Sequence, residues 1–592
     1  MKPTMAILEK INQNSKKNGN EVFTRLYRYL LREDIYFTAY QNLYANSGAA
    51  TKGVDNDTAD GFSIEYVRNI IDKLKNNNYE PKPVRRVYIK KKNGKMRPLG
   101  IPTFTDKIIQ EVIRLILNSV YEPVFLKCSH GFRENKGCHT ALKAIKEFNG
   151  IKWFIEGDIK GCFDNINHNK LIEIIGRKIK DHRFLVLINK FLKAGYLEDW
   201  KYNHTYSGTP QGGIISPILS NIYLHELDKY VLEIADNFNK KADKYLNKEY
   251  KLTASMIERL SGRINRAKDE NERNDLIGLY REYRKKMLKL PCKSQTDKKL
   301  KYIRYADDFL IGVNGSKKDC KQIKEQIKEF IRNDLKMELS DEKTLITHSS
   351  TTAKFLGYYI SVRRNYSIKP DKNGIRKRSL SNTVQLTIPF QEKIEKFLFQ
   401  KGAVRIKNGK LFPKKRDYLL NLSDLEIVST YSAEMRGIFN YYSMAVDYYK
   451  LSYFSYLMEY SCLMTLARKH KSSIGEVIEQ YRMEKTWGIP YETKKGKKRL
   501  CLPNKNDCKT TKVKDEFSNN MFSHSYSTTT FEKRLAAKEC ELCGAKGNIK
   551  FEIHHINKVK NLKGKTNWEK VMIAKKRKTL VVCEDCHKRI HN

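Results

Sequence analysis

Lys301-Tyr302-Ile303-Arg304-Tyr305-Ala306-Asp307-Asp308-Phe309-Leu310-Ile311-Gly312-Val313 reads as a β-hairpin with two adjacent carboxylates at its tip. A strand-like run ends at Tyr305-Ala306-Asp307-Asp308, and the apolar run Phe309–Val313 begins at once. Tight hairpin turns favour Asn-Gly or Asp-Gly, because glycine tolerates positive φ. Asp-Asp offers little of that advantage and adds like-charge repulsion, which a divalent cation would relieve. Four residues alone fit an acidic surface turn equally well, so the flanking sequence decides the reading.

Upstream, the strand-like Lys152–Ile155 runs on to Asp158, and Phe163 follows five residues later. Two-metal phosphoryl transfer needs carboxylates on rigid elements, holding ions about 3.5–4 Å apart. Asp158 at a strand end with Asp307 and Asp308 at a hairpin tip makes such a triad. Phe163 is placed to stack beneath an incoming sugar; a core aromatic is the plainer alternative. Val84–Lys90 alternates, turns at Asn93-Gly94 and resumes at Met96–Pro102, the pattern of a basic hairpin. That hairpin is either a lysine-guarded solvated edge or a phosphate-binding finger.

Asp106–Tyr121 has a broad apolar helical face. Gly208-Thr209-Pro210-Gln211-Gly212-Gly213 precedes the apolar helix Ser216–Leu232, and the charged stretch Ala235–Lys301 reads as a solvated helical insertion. Beyond the Asp-Asp hairpin, helices are expected at Lys317–Leu335, Gln391–Phe399 and Leu425–Ala467. The last is crowded with Tyr and Phe, most simply a helix–helix core.

The 592 residues imply roughly three to five domains or subdomains. With 114 Lys+Arg against 67 Asp+Glu the formal charge is +47, an excess suited to nucleic acid. A membrane is the weaker partner, since no apolar run approaches the roughly 20 residues that span a bilayer. Met1–Asn20 also lacks the apolar centre of a secretory signal. Eight of the 12 cysteines are scattered and four form two C-terminal pairs, which favours reduced thiols and metal over a secreted disulfide scaffold.

In order, Arg97-Pro98-Leu99-Gly100-Ile101-Pro102, Ser129-His130-Gly131-Phe132-Arg133, Asp158 with Phe163-Asp164, Pro210-Gln211-Gly212, Tyr305-Ala306-Asp307-Asp308, Leu339 through Lys343 and Leu356-Gly357 resemble the successive blocks of group II intron reverse transcriptases. Arg436–Tyr442 and Thr465–His470 resemble the maturase part of the same family. The resemblance implies an α+β multidomain chain: a right-hand polymerase with fingers and an antiparallel palm, a helical thumb/maturase domain, and a small nuclease. It implies that Asp158, Asp307 and Asp308 hold two Mg²⁺, with the Ile159 carbonyl as a further ligand. Arg97 and Lys90 would lie near the triphosphate, Gln211 at the nascent base pair and Lys343 near the leaving pyrophosphate.

In the tail, Cys540-x-x-Cys543 and Cys583-x-x-Cys586 have spacing suited to tetrahedral Zn²⁺. Between them stands Ile553-His554-His555-Ile556, and after them His587 and His591 share one helix face. The arrangement resembles HNH nucleases, small ββα folds with zinc knuckles here and a single catalytic Mg²⁺ or Mn²⁺. By that resemblance His555 is the general base, while His554, His587 and His591 approach the metal. The family's middle Asn has no direct match: Thr579-Leu580 occupies the like place and Asn567 lies upstream. A structural zinc knuckle that binds DNA without cutting it is the alternative.

The expected division is a basic helical extension of the fingers (1–80), fingers and palm (81–375, with the insertion 235–300), thumb/maturase (376–485), a basic DNA-binding region or linker (486–530) and an HNH domain (531–592). The expected protein is a soluble, intracellular reverse transcriptase, maturase and HNH endonuclease. It would be nucleoid-associated in a bacterium or else organellar, with intron RNA, target DNA and dNTPs as partners and its oligomeric state open. Two rivals stand against it: an RNA-binding splicing cofactor with vestigial sites, and a reverse transcriptase of a different cellular system. The intact triad argues against the first, and the HNH tail against the second.

Overall fold

The computed structural model describes residues 2–46, 48–90, 94, 96–198, 201–203, 208, 212–239, 247–290, 298–365, 367–370, 374, 376–378, 381–483, 486–493, 496–508 and 531–591. Gln211 and residues 509–530 of the expected basic region lie outside them. The elements that carry the argument are strands β1 (Val84–Lys90), β2 (Met96–Ile101), β3 (Trp153–Asp158), β4 (Lys299–Tyr305), β5 (Asp308–Asn314), β6 (Leu345–His348), β7 (Phe551–His555) and β8 (Thr579–Cys583), with helices α1 (Glu33–Leu43), α2 (Phe104–Tyr121), α3 (Ser216–Phe238), α4 (Asp424–Tyr441), α5 (Leu451–His470) and α6 (Glu584–His591).

A four-stranded antiparallel sheet in the order β4-β5-β3-β6 forms the centre. Phe309–Val313 is buried on both faces, which explains an apolar run without alternation. α3 packs against β4 of this sheet, and α2 packs against α3. Thr103 caps α2 by accepting from the Asp106 N–H, and nearly every residue of that helix is buried. The basic hairpin β1–β2 pairs as its pattern implies, from Arg85 opposite Ile101 to Lys90 opposite Met96. Within 235–300, helices Lys248–Arg266 and Glu270–Lys289 pack on each other and bury only Thr253, Leu260 and Leu276.

A second core gathers around α4 and α5. Arg416 is fully buried there, with its guanidinium 2.7 Å from Glu434 and 4.1 Å from the Tyr431 ring centre. The aromatic crowd is only partly core. Tyr431, Phe439, Tyr442 and Phe454 are buried, whereas Tyr449, Tyr453, Tyr456 and Tyr460 recur at helical spacing on an exposed face around α5. Hydroxyl-bearing rings tolerate water where Phe would not. Among the described residues, no helix is long and apolar enough to cross a membrane.

The tail forms a β7–β8 hairpin followed by α6, and its apolar side joins the N-terminal core. Ile553 donates its N–H to the Phe62 carbonyl at 2.9 Å, and Gly61 donates to the Ile553 carbonyl at 3.0 Å. A segment 491 positions away by number thus adds one more backbone rung to β7.

Candidate active sites

The central sheet sets Asp158 directly opposite Asp308. Ala306 turns the hairpin with φ +56°, the left-handed region that Asn or Gly ordinarily takes. The turn is held from behind by Arg304, which is buried without exposure. Its Nε and Nη2 donate to Asp228 at 2.7 and 2.6 Å, Nη2 to Ser129 Oγ at 2.9 Å, and Nη1 to the Ala306 carbonyl at 2.8 Å. Tyr302 Oη also donates to Asp228, at 2.8 Å. Burial works to lower the Arg304 pKa, but Asp228 and its neighbours together raise it, so the cation persists. Asn221 meanwhile donates to the Gly131 carbonyl at 2.8 Å. Gly131 is required: a Cβ there would stand 2.3 Å from the Ala306 nitrogen.

Burial, then the neighbouring Asp307 and Asp158 charges, pushes Asp308 up to about 7. Asp307 is likewise raised by burial and Asp158, with Lys343 and Arg97 opposing. Carboxylates crowded this way are a donor set for divalent cations, whose charge would remove the repulsion. Lys343 Nζ lies 2.7 Å from Asp158 Oδ2, on a carboxylate of the triad. Arg97 sits exposed on β2 near enough to influence Asp307, and Lys90 is exposed at the end of β1. Phe163 is half-buried and meets the exposed Phe132 edge-to-face at 6.1 Å, at the surface rather than in the core. Ile159 is buried and bridges Leu339 through its backbone.

Two clusters in the tail bring ligand atoms within 4.8 Å of one another: Cys540, Cys543, Cys583 and Cys586, and Asp60 with His554, His587 and His591. Cys543 Sγ and Cys583 Sγ are 3.8 Å apart. Two thiolates at about 2.3 Å from a tetrahedral zinc stand roughly 3.8 Å apart, so the thiols fit that ion. Burial opposes ionisation of Cys540, but backbone hydrogen bonds from Cys543, Cys583 and Leu542 outweigh it and bring its pKa to about 7.

In the second cluster both ring nitrogens of His554 are buried; Nδ1 lies 3.2 Å from Asp60 Oδ1, and Nε2 has no hydrogen-bond partner among the described residues. A buried imidazole nitrogen left open beside other ligand atoms suits a metal ion. His587 Nδ1 is 2.5 Å from Glu552, a carboxylate placed as one that would orient a ligating histidine. Burial lowers the His587 pKa and Asp60 and Glu552 raise it, with a net rise to about 9. His555, next along the strand, points to the other face; burial lowers its pKa, which favours the neutral ring. Its Nε2 lies 3.0 Å from the Tyr44 carbonyl. Thr579 pairs with His555 across β7–β8 and is buried, whereas Asn567 is exposed on the first turn of helix Asn567–Lys575.

Sequence reasoning missed Arg304, Asp228, Asn221, Glu552 and Asp60. Arg304 and Asp228 stand among other charged residues, Lys299 and Lys301 in β4 and Glu226, Lys229, Glu233 and Asp236 in α3, so the sequence does not single out the pair that is buried. Asp60 carries no signal either, standing in a loop 495 residues from His555.

Three family descriptions match successive parts of the chain: a reverse transcriptase (RNA-dependent DNA polymerase) over residues 89–246 and 277–360, a type II intron maturase over 381–531, and an AI2M/AI1M-like HNH endonuclease over 540–587. The class is therefore a reverse transcriptase joined to a maturase and an HNH endonuclease. The chain is 57% identical to "Group II intron-encoded protein LtrA" of Lactococcus lactis subsp. cremoris, across 100% of this chain and 99% of that one. It is 35% identical to an "Uncharacterized 91 kDa protein in cob intron" of Schizosaccharomyces pombe (99% and 72% covered). It is 32% identical to a "Putative COX1/OXI3 intron 2 protein" of Saccharomyces cerevisiae (99% and 68%). The chain belongs to the group II intron-encoded proteins, and is both an RNA-directed DNA polymerase and an HNH DNA endonuclease.

Proposed function

We propose that the chain binds its own intron RNA, promotes its splicing, and travels with it to a DNA target that it nicks and then uses as primer. The carrying observation is that one chain pairs Asp158 with Asp308 in a central sheet and gathers His554, His587 and His591 at the end of another. Hydrolysis of a P–O3′ bond leaves a 5′-phosphate and a 3′-hydroxyl, and the latter is the nucleophile a polymerase extends.

In this reading the β4-β5-β3-β6 sheet is the palm, β1–β2 belongs to the fingers, and α4–α5 form the thumb within residues 376–485. Residues 1–80 extend the fingers, 81–375 hold fingers and palm, 486–530 contact DNA and 531–592 cut it. Asp158, Asp307, Asp308 and the Ile159 carbonyl hold two Mg²⁺. Arg97 and Lys90 bind the triphosphate, Phe163 stacks under the sugar, Gln211 touches the new base pair, and Lys343 leaves Asp158 for the pyrophosphate. Cys540, Cys543, Cys583 and Cys586 hold a structural Zn²⁺. His554, His587 and His591 hold one Mg²⁺ or Mn²⁺, and His555 takes the proton from the attacking water. When bound, the divalent ions neutralise phosphate charge and acidify the attacking hydroxyl or water. The +47 charge and the exposed tyrosines around α5 offer phosphate and base contacts to intron RNA.

Primer extension on an RNA template, comparing the parent with Asp307→Ala plus Asp308→Ala, tests the polymerase assignment: equal cDNA yields would sink it. Labelled target DNA offered to the ribonucleoprotein tests the tail. His555→Ala is expected to lose the nick and keep its zinc, and an undiminished nick removes His555 as the base.

A further inference from the structure

The nuclease cluster contains a carboxylate that the tail does not supply. Asp60 Oδ1 lies 3.2 Å from His554 Nδ1, and Oδ2 lies 3.2 Å from His587 Nε2 and 2.8 Å from His591 Nε2. The two imidazole nitrogens Nε2 of His587 and His591 are 3.3 Å apart. Ligands about 2.1 Å from a common ion stand roughly 3.0–3.4 Å apart, a range that holds three of these four spacings, with the Asp60–His591 distance just below it.

The position of Asp60 is built rather than incidental. Its Oδ1 accepts the His555 backbone N–H at 2.6 Å. The next two residues continue β7 through the Gly61 and Phe62 rungs, and Gly61 takes φ +80° to do so. Phe62 is 1% exposed and stacks on Tyr40 of α1 at 4.2 Å. Lys578 reaches the Ala45 carbonyl at 3.3 Å from the other side of the contact. In this arrangement the Tyr44 carbonyl, 3.0 Å from His555 Nε2, can only accept, so Nε2 carries the proton and Nδ1 is the basic nitrogen.

We propose that Asp60 is a fourth protein ligand of the nuclease metal, supplied by the N-terminal region, and that it holds the nuclease docked and closed until a DNA phosphate takes its place. The proposal rests on the assignment of His554, His587 and His591 as ligands. A phosphate oxygen and the Asp60 carboxylate are both hard anionic oxygens, so one can replace the other on Mg²⁺ or Mn²⁺. Release of Asp60 would remove the side-chain contacts that tie this loop to the His555 backbone N–H and to His554, His587 and His591. Cutting would then be confined to chains that already hold DNA at the tail.

The test uses the full chain carrying Asp307→Ala and Asp308→Ala, so that Mn²⁺ titrated by electron paramagnetic resonance reports the nuclease site. Asp60→Ala is expected to weaken Mn²⁺ by at least about tenfold, since even outer-shell losses cost roughly 10–100-fold. Asp60→Asn, which retains an acceptor for the His555 N–H, guards against misfolding, and zinc content reports the fold of the tail. His587→Ala separates the two assignments. Loss of Mn²⁺ in His587→Ala with parental affinity in both Asp60 variants overturns the proposal and leaves the histidines standing; parental affinity in all three overturns both. Hydrogen exchange supplies the second readout. Mn²⁺ should protect residues 44–62 in the parent background but not in Asp60→Ala, and adding target duplex should remove that protection. Protection that is independent of Mn²⁺, or unchanged when DNA binds, overturns the closed form.

Discussion

Asp228→Leu, made alone and then with Arg304→Met and Tyr302→Phe, separates what the buried ion pair does for stability from what it does for catalysis. Both charged side chains are 0% exposed. Removing Asp228 alone leaves a guanidinium without its counter-charge, a loss of about 3–5 kcal/mol. That is a large share of the roughly 5–15 kcal/mol that holds a domain together. The triple variant removes both charges and the Tyr302 hydroxyl that donates to Asp228. Apolar replacement of a whole buried pair is often neutral, so its unfolding midpoint is expected near that of the parent. Activity should not return with it. Arg304 Nη1 donates to the Ala306 carbonyl at 2.8 Å, and that donor is lost. A charge-assisted bond contributes about 1.5–3 kcal/mol, which corresponds to roughly 10–100-fold in kcat/KM if it positions the carboxylates in the transition state. Denaturant unfolding and steady-state primer extension measure the two effects separately. A triple variant with parental extension would show that Arg304 does not position the turn, and a parental midpoint for Asp228→Leu alone would refute the burial argument.

Gly131→Ala is expected to abolish primer extension or destabilise the central sheet, because its Cβ meets the Ala306 backbone nitrogen at 2.3 Å in a turn that Arg304 holds in place; unaltered extension would contradict this. Asp106 gives a pH dependence whose sign is fixed by burial, which raises its pKa from 3.8 to about 6 in the folded chain. The folded state therefore holds the proton longer than the unfolded one, so this group's stabilisation is complete below about pH 4 and falls by roughly 3 kcal/mol as pH rises through 6. The stability difference between parent and Asp106→Asn, from urea midpoints at pH 4 and pH 7, should change by that order. Cys583→Ser should release zinc and lose nicking while primer extension persists; retention of stoichiometric zinc would show that the four thiols are not the site. Tyr456→Ser should weaken intron RNA binding by about 1–3 kcal/mol if a base stacks there, read by filter binding at fixed salt.

The juxtaposition of Asp158 and Asp308 was legible because each sits at the end of a short strand whose apolar run announces it: Phe309–Val313 after Asp308, and the β3 run before Asp158. The four-cysteine cluster was legible from spacing alone. What positions these groups was not legible, since it is set by tertiary packing. Arg304 meets Asp228 across 76 residues, and Asp60 meets His555 across 495, distances over which no periodicity carries information. The tyrosines near α5 show the opposite failure. Their composition suggested core, and only the packing of the helix reveals which half faces outward.

The loop around Asp60 also touches the polymerase half. Asp57, three residues earlier, accepts from the Thr105 N–H at 2.7 Å and from its hydroxyl at 2.6 Å, at the start of α2. That helix begins directly after β2, the strand that carries Arg97. One short loop therefore bonds the first turn of a buried helix through Asp57 and the nuclease ligands through Asp60. A loop tied at one end to a rigid, wholly buried helix cannot follow the nuclease when it moves, so opening must break the Asp60 contacts rather than carry the loop along. If the closed form proposed above holds, the scaffold that presents Arg97 would be the anchor from which the tail is released before it nicks DNA.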